Sequence, residues 1–121
     1  MKKVILLVDD FENTLFVTGL TLKMAGYDIL KAKSGKEALI LMNGQRIDLI
    51  VTDYNMPEMN GLEFIEQAKT KLIYQNTPVF ILSTEISQEV KRKAYDAGVT
   101  AWIAKPFQTE NLKRKIARAL H

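Results

Sequence analysis

Acidic, hydroxyl and basic side chains interrupt the apolar runs of this chain at several points. Asp9 and Asp10 end the first run, Asp53 lies just beyond another, and Ser83 and Lys105 end two later ones. An aspartate carboxylate can attack a phosphoryl group and form an acyl phosphate. A serine hydroxyl and a lysine ammonium can donate hydrogen bonds to phosphoryl oxygens. If these five side chains meet, their combined chemistry is phosphoryl transfer.

Carboxylates that converge in one cleft repel one another, and a bound divalent cation relieves that repulsion. The chain has no cysteine and a single histidine, so oxygen atoms are the available ligands. Oxygen ligands suit Mg²⁺, with Mn²⁺ as a substitute, rather than Zn²⁺. With Lys105 opposite, such a site would neutralise the charge of a transferring phosphoryl group.

Each of these residues, taken singly, is more typical of an ordinary polar loop. Asp9 and Asp10, for example, precede a helical pattern, where acidic side chains often cap the helix. The chemical interpretation therefore depends on a fold that brings the residues to one place.

The apolar runs are short and β-branched or leucine-rich, which is typical of strands covered on both faces. They predict strands at Val4–Val8, Leu49–Val51, Val79–Leu82 and Trp102–Ala104, with an edge strand at Tyr27–Ala32.

Helical patterns separate these strands, and their ends carry recognisable signals. Glycines at 26, 44 and 98 follow helical stretches, where a left-handed residue is favoured. Ser34 begins a helix with capping-box spacing to Glu37. Three further helices are predicted. One begins at Asn60 or Gly61, one is capped by Ser87 and the last is capped by Thr109.

The resulting order is strand then helix, repeated five times. This alternation predicts one α/β domain, residues 1–121, with a doubly wound parallel sheet and helices on both faces. In such sheets ligands bind beyond the carboxyl ends of the strands. Those ends carry Asp9, Asp10, Asp53, Ser83 and Lys105, so the fold predicts that they converge.

Composition narrows the function classes further. The net charge is only +3, from 17 basic and 14 acidic residues, so charge alone does not indicate nucleic-acid binding. The first apolar run is too short for a signal peptide and no run is long enough for a membrane span. We therefore expect a soluble, cytoplasmic protein. Glycine-rich nucleotide-binding motifs are absent.

The combined motifs resemble the receiver domains of two-component response regulators, in particular the stand-alone CheY-like type. The resemblance covers essentially the whole chain and implies a flavodoxin-like fold with strand order 2-1-3-4-5. It rests on Val8-Asp9-Asp10, on the segment Asp48-Leu49-Ile50-Val51-Thr52-Asp53-Tyr54-Asn55-Met56-Pro57, on Met59-Asn60-Gly61, and on Lys105-Pro106-Phe107.

The resemblance implies a role for each residue of the metal site. Asp53 would be the phosphoacceptor and a Mg²⁺ ligand. Asp10 would bind Mg²⁺ directly, Asp9 directly or through water, and the backbone carbonyl of Asn55 would be a further ligand.

The resemblance also implies a switch. Lys105, beside a cis bond to Pro106, would contact the phosphoryl oxygens, and Ser83 would donate its hydroxyl to them. Trp102 would change rotamer as the loop after the fourth strand moves. Asn55 and Glu85 would tune the lifetime of the phosphorylated form, which would hydrolyse by itself.

The implied partners are a histidine kinase or a histidine phosphotransfer protein and a downstream protein. The apolar first helix predicts a docking surface around Leu15 and Phe16. The basic runs at 91–93 and 113–115 favour an acidic protein partner over DNA. We expect a monomer, or a weak dimer that depends on phosphorylation.

Two alternatives remain open from sequence. One is a pseudo-receiver that binds partners without phosphorylation. The other is an aspartyl-phosphate phosphatase, which would need a second acid two residues after the nucleophile. Asn55 occupies that position, so we do not expect a turnover enzyme.

Overall fold

A computed structural model describes all residues from Met1 to His121. Five strands form a parallel sheet in the order β2-β1-β3-β4-β5, as predicted. The strands are β1 (Val4–Val8), β2 (Asp28–Ala32), β3 (Leu49–Asp53), β4 (Val79–Ser83) and β5 (Ala101–Ala104). The helices are α1 (Glu12–Met24), α2 (Gly35–Leu41), α3 (Gly61–Ala68), α4 (Gln88–Asp96) and α5 (Thr109–Leu120).

The sheet is covered on both faces, which explains its continuous apolar strands. Leu6 and Val8 of β1 face a cluster that includes buried residues of α2, α3 and α4. Ile5 and Leu7 face the opposite cluster, which includes buried residues of α1 and α5. Because successive side chains of a strand point to opposite faces, both sets are buried only when both faces are covered.

Most of the predicted helix ends are confirmed. Gly26, Gly44 and Gly98 have φ angles of 104–107°. Ser34 and Ser87 accept hydrogen bonds from the backbone N–H groups of Glu37 and Val90.

Two helix ends differ from the prediction. The Glu37 side chain accepts from the N–H of Lys33 rather than of Ser34, so the capping box of α2 is not closed. Thr109 is not the cap of α5, because the cap position falls one residue earlier, at Gln108, without a side-chain hydrogen bond.

Helix α1 buries one side and exposes an apolar stripe on the other. Leu15 is 5% exposed and packs in the core with Leu22, so the prediction that Leu15 lies on a docking surface is wrong. Its neighbour Phe16 is 60% exposed. The α1 stripe consists of the exposed side chains Phe16, Val17, Leu20 and Met24.

None of the helices is long and apolar enough to cross a lipid bilayer.

Candidate phosphoacceptor and metal site

The predicted site residues meet at the carboxyl edge of the sheet. Asp9 and Asp10 follow β1, and Asp53 and Ser83 are the last residues of β3 and β4. Lys105 follows β5, and its backbone N–H donates to the Ser83 carbonyl at 2.8 Å. Parallel pairing of adjacent strands therefore brings these distant residues together.

Three carboxylates form a tight acidic cluster in this site. Asp9, Asp10 and Asp53 each offer an oxygen, and these oxygens lie within 4.8 Å of one another. Asp9 and Asp53 are each 3% exposed. One oxygen of Asp10, Oδ1, is buried and has no hydrogen-bond partner. A buried carboxylate oxygen without a donor is what a cation-binding site requires, so the cluster fits a hard divalent ion.

Lys105 neutralises part of this negative charge. Its Nζ donates to Asp53 Oδ1 at 2.6 Å, and its side chain is 27% exposed, against 4% for Asp53. Three acids opposed by one ammonium leave the cluster net negative when all are ionised. The remaining charge favours a cation, and the ammonium provides a positive group for an incoming anion.

Burial raises the pKa of the Asp9 carboxyl above its usual value of 3.8, and the charges of Asp53 and Asp10 add to the rise. A hydrogen bond from the Phe11 N–H, at 3.0 Å, and the Lys105 charge act in the opposite direction. Phe11 is the cap position of α1, and its side chain makes no capping hydrogen bond. The bond from its N–H therefore connects Asp9 directly to the start of this helix.

Ser83 is fully buried beside the acidic cluster. Its Oγ accepts from the Glu85 N–H at 2.8 Å, and the Glu85 carboxylate in turn accepts from the N–H groups of Ile86 and Ser87. Glu85 therefore orders its own loop between β4 and α4. This chain of bonds connects the site to Ser87, the cap of α4.

Asn55 is exposed in the loop that follows β3. This loop ends at a complete capping box, in which Asn60 and Glu63 each accept from the other's backbone N–H, at 2.8 and 2.9 Å. The capping box therefore fixes the end of this loop at the start of α3.

Two residues that support the site were given no role by the sequence analysis. A Cβ on Gly61 would lie 2.5 Å from the Asp53 carbonyl, so only glycine allows α3 to approach the end of β3. The Tyr54 ring contacts the Trp102 ring, with centroids 5.6 Å apart. Gly61 directly follows the predicted helix start at Asn60, so the sequence offered a signal for a special role of this glycine. No sequence signal indicated the contact between Tyr54 and Trp102.

Trp102 lies against the core rather than in solvent. It packs against the cluster formed with α2, α3 and α4, and its Nε1 is buried without an acceptor. Its backbone N–H donates to the Tyr95 hydroxyl at 3.2 Å. The residue therefore connects β5, α4 and the loop that follows Asp53.

The fold and the site together define a doubly wound α/β domain with an acidic cation-binding cluster at its carboxyl edge. A family model for the response regulator receiver domain matches residues 5–117. The chain belongs to this family.

Its similarity to known members extends over nearly its full length. It is 35% identical over 118 residues to a chemotaxis protein CheY homolog of Campylobacter jejuni, covering 96% of this chain and 91% of that protein. It is 33% identical over 114 residues to chemotaxis protein CheY1 of Helicobacter pylori, covering 93% and 92%. The solved structure of Vibrio cholerae CheY4 superposes with a TM-score of 0.94 at 37% identity, covering 99% of this chain and all of that one.

Proposed function

We propose that residues 1–121 form one receiver domain that works as a phosphorylation switch in the cytoplasm. Asp53 accepts a phosphoryl group from the phosphohistidine of a histidine kinase or phosphotransfer protein. The observation that carries this proposal is the buried Asp53 carboxylate, held by Lys105 at 2.6 Å beside two further acids.

In the proposed reaction, one carboxylate oxygen of Asp53 attacks phosphorus, and the bond between phosphorus and the histidine nitrogen breaks. The electron pair of that bond stays on the imidazole, and an acyl phosphate forms. Lys105 contacts the phosphoryl oxygens, and Ser83 donates its hydroxyl to them. Asp10, Asp53, the Asn55 carbonyl and Asp9, directly or through water, would hold Mg²⁺ or Mn²⁺. The bound ion supplies charge neutralisation and alignment.

The acyl phosphate then hydrolyses by itself when water attacks phosphorus and releases inorganic phosphate. Asn55 and Glu85 border the proposed water path and tune the rate. Because Glu85 is bonded to its own loop, its influence depends on that loop's position. No second acid follows at Asn55, so the chain is a signalling protein and catalyses only its own phosphorylation and dephosphorylation.

The face formed by α4, β5 and α5 is proposed to bind the downstream partner. Phosphorylation draws the Ser83 hydroxyl toward the phosphoryl group, which moves the loop leading to α4 and the contacts of Trp102. The basic residues of α4 and α5 suit an acidic protein partner. The α1 stripe, on the helix that begins two residues after Asp10, is the proposed docking surface for the donor.

Intact-mass spectrometry tests the central step. With acetyl phosphate and Mg²⁺, the wild-type chain should gain one phosphoryl group, and Asp53→Asn should gain none because an amide cannot form the acyl phosphate. Asp28→Asn, at an exposed position, is the matched control and should behave as wild type. An equal gain in Asp53→Asn would refute the acceptor assignment. No gain in wild type would favour the pseudo-receiver.

A further inference from the structure

A groove lies between α1 and the edge strand β2, outside the acidic site. Its volume is about 400 Å³. Phe16, Leu20 and Ile29 provide apolar lining, and the groove passes over Gly19. It is continuous with the α1 stripe, since Phe16 and Leu20 belong to both. We call the groove and the stripe together the α1 face.

Gly19 leaves an unfilled position in the α1 face. It lies in the interior of α1, where glycine is less stable than alanine because it loses more backbone freedom on folding. A Cβ at this position would meet the Lys31 and Ile29 side chains at 3.5–3.8 Å, which is ordinary van der Waals contact. Every other glycine is required either by a positive φ angle or by a close approach. Neither backbone conformation nor packing therefore requires glycine at position 19.

The two ends of the α1 face carry matching charges. At one end, Glu12 begins α1 and forms an ion pair with Lys33. At the other end, Lys23 in the last turn of α1 and Asp28 at the start of β2 both line the groove. Each end therefore has one acid and one base. Glu12 and Lys23 are about three helical turns apart, so they lie on the same flank of the helix.

We propose that the α1 face binds a second copy of this chain, with the two α1 helices antiparallel. In a two-fold symmetric contact, if residue i meets residue j of the other copy, then residue j meets residue i. One register with its axis at the middle of the helix places Glu12 against Lys23 of the second copy. The same register places Phe16 against Gly19 of the second copy, so each ring enters the groove of the other copy.

The charges favour this antiparallel arrangement over a parallel one. A parallel pair would place Glu12 against Glu12 and Lys23 against Lys23, and like charges facing each other are destabilising. The antiparallel pair also brings the end that carries Asp28 beside the end that carries Lys33, and it opposes the two helix dipoles. The α1 face is therefore complementary to itself, which favours a second copy over an unrelated occupant.

The contact should be weak and reversible. The apolar stripe covers roughly a few hundred Å², less than one partner contributes to a standard interface. Lys31 adds repulsion, because its stem lies against Gly19 and its ammonium is 5.6 Å from the centre of the Phe16 ring, near the two-fold axis. Two copies bring two such ammonium groups together. The same stripe is the one proposed for the donor, and a weak contact leaves it free at low protein concentration.

Sedimentation equilibrium of the whole chain tests the contact. The wild type should be in a monomer–dimer equilibrium with a dissociation constant below about 1 mM. Phe16→Ser removes the ring that enters the groove and should weaken the dimer at least about tenfold. Lys31→Met removes the repulsion and should strengthen it about threefold. Asp53→Asn should associate as the wild type does, because no residue of the phosphoacceptor site takes part.

A charge exchange tests the antiparallel register. Lys23→Glu and Glu12→Lys should each weaken self-association about tenfold at low salt, because each creates two like-charge contacts. An equimolar mixture of the two variants should form mixed dimers as tightly as the wild type, since every contact again joins opposite charges. Lys115→Glu, the same charge change on α5, is the control and should associate as the wild type does.

Three results would overturn the proposal. The first is a wild-type chain that stays monomeric up to about 1 mM. The second is a mixture of the two charge variants that associates no more tightly than either variant alone. The third is self-association that requires phosphorylation or is lost in Lys115→Glu, because the contact would then lie on another face. None of these results bears on phosphate uptake by Asp53, so this inference and the proposed function can fail separately.

Discussion

The unpaired oxygen of Asp10 is the residue-level feature that most directly indicates a cation. Asp10→Ala removes this oxygen and one charge from the cluster, so Mg²⁺ affinity should fall at least about tenfold, as expected for loss of one charged ligand from a site with few protein ligands. Isothermal titration measures it. Asp96→Ala, an acid on α4 far from the cluster, is the control. Equal Mg²⁺ affinity in Asp10→Ala and wild type would remove Asp10 from the set of ligands.

Trp102 allows the proposed switch to be followed at one residue, because it is the only tryptophan. Its buried Nε1 has no acceptor, and an unsatisfied buried donor costs about 1–3 kcal/mol. A loop movement that supplies an acceptor, or that opens the site to water, changes both this energy and the polarity around the indole.

We therefore expect beryllofluoride with Mg²⁺, a mimic of the phosphoryl group, to alter Trp102 emission. The response should be smaller in Ser83→Ala, which cannot draw the loop inward, and absent in Asp53→Asn. If titration shows beryllofluoride bound while the wild-type spectrum stays constant, Trp102 is a packing residue and not part of the switch.

The site residues show which roles can be predicted from the sequence and which cannot. The acids and Lys105 were identified because polar residues that end apolar strands in a parallel sheet must meet at one edge. Leu15 was assigned to the wrong side of α1 because the six large apolar residues of this helix are spread around it, so the pattern did not distinguish the buried face. The contact between Tyr54 and Trp102 joins residues 48 positions apart, and only the three-dimensional structure brings them together.

At the level of elements, the carboxyl end of β3 was predicted two residues short and that of β4 one residue short, whereas those of the other three strands were predicted correctly. β3 continues through Thr52 to Asp53, and β4 includes Ser83, because ladder hydrogen bonds extend past the last apolar residue. The prediction that Thr109 caps α5 was wrong for a different reason. A threonine is a good cap by type, but the helix already begins at Thr109, and no local signal marked Gln108 as the cap position.

The capping box of α3 should contribute to the stability of the domain. Glu63→Ala removes the acceptor of the Asn60 N–H and leaves the Asn60 cap in place, so the free energy of unfolding should fall by about 0.5–1.5 kcal/mol, as for the loss of one hydrogen bond. Urea unfolding followed by circular dichroism measures it. Glu66→Ala, an exposed acid on the same helix, is the matched control. An equal effect of the two substitutions would show that the box contributes nothing specific.

Helix α1 offers a test of what Gly19 costs. Gly19→Ala should raise the free energy of unfolding by about 0.5–1 kcal/mol, since the added methyl meets only ordinary contacts and the unfolded chain loses freedom. Thermal unfolding of both proteins measures the gain. If Gly19→Ala is less stable than the wild type, the Lys31 side chain leaves no room for the added methyl group. Packing would then explain the glycine at this position.

At the scale of the whole molecule, the acidic cluster links stability to pH and to divalent cations. The pKa of Asp9 is raised in the folded protein, so folding favours its protonated form. This contribution to stability is fully present below the unfolded value of 3.8 and is lost as the pH rises through the raised folded value. At neutral pH the ionised Asp9 carboxylate therefore opposes folding, and a bound cation would offset this cost.

Asp9→Asn separates these two effects, because the amide oxygen can still accept from the Phe11 N–H while the charge is lost. With a chelator at pH 7 the variant should unfold at a higher temperature than wild type, and the difference should shrink as the pH approaches 3.8. Saturating Mg²⁺ should reverse the order, since a ligand at 100 times its Kd stabilises the native state by about 2.7 kcal/mol and the variant binds it more weakly. A variant that is less stable than wild type in chelator, or a difference that does not depend on pH, would contradict this account of Asp9.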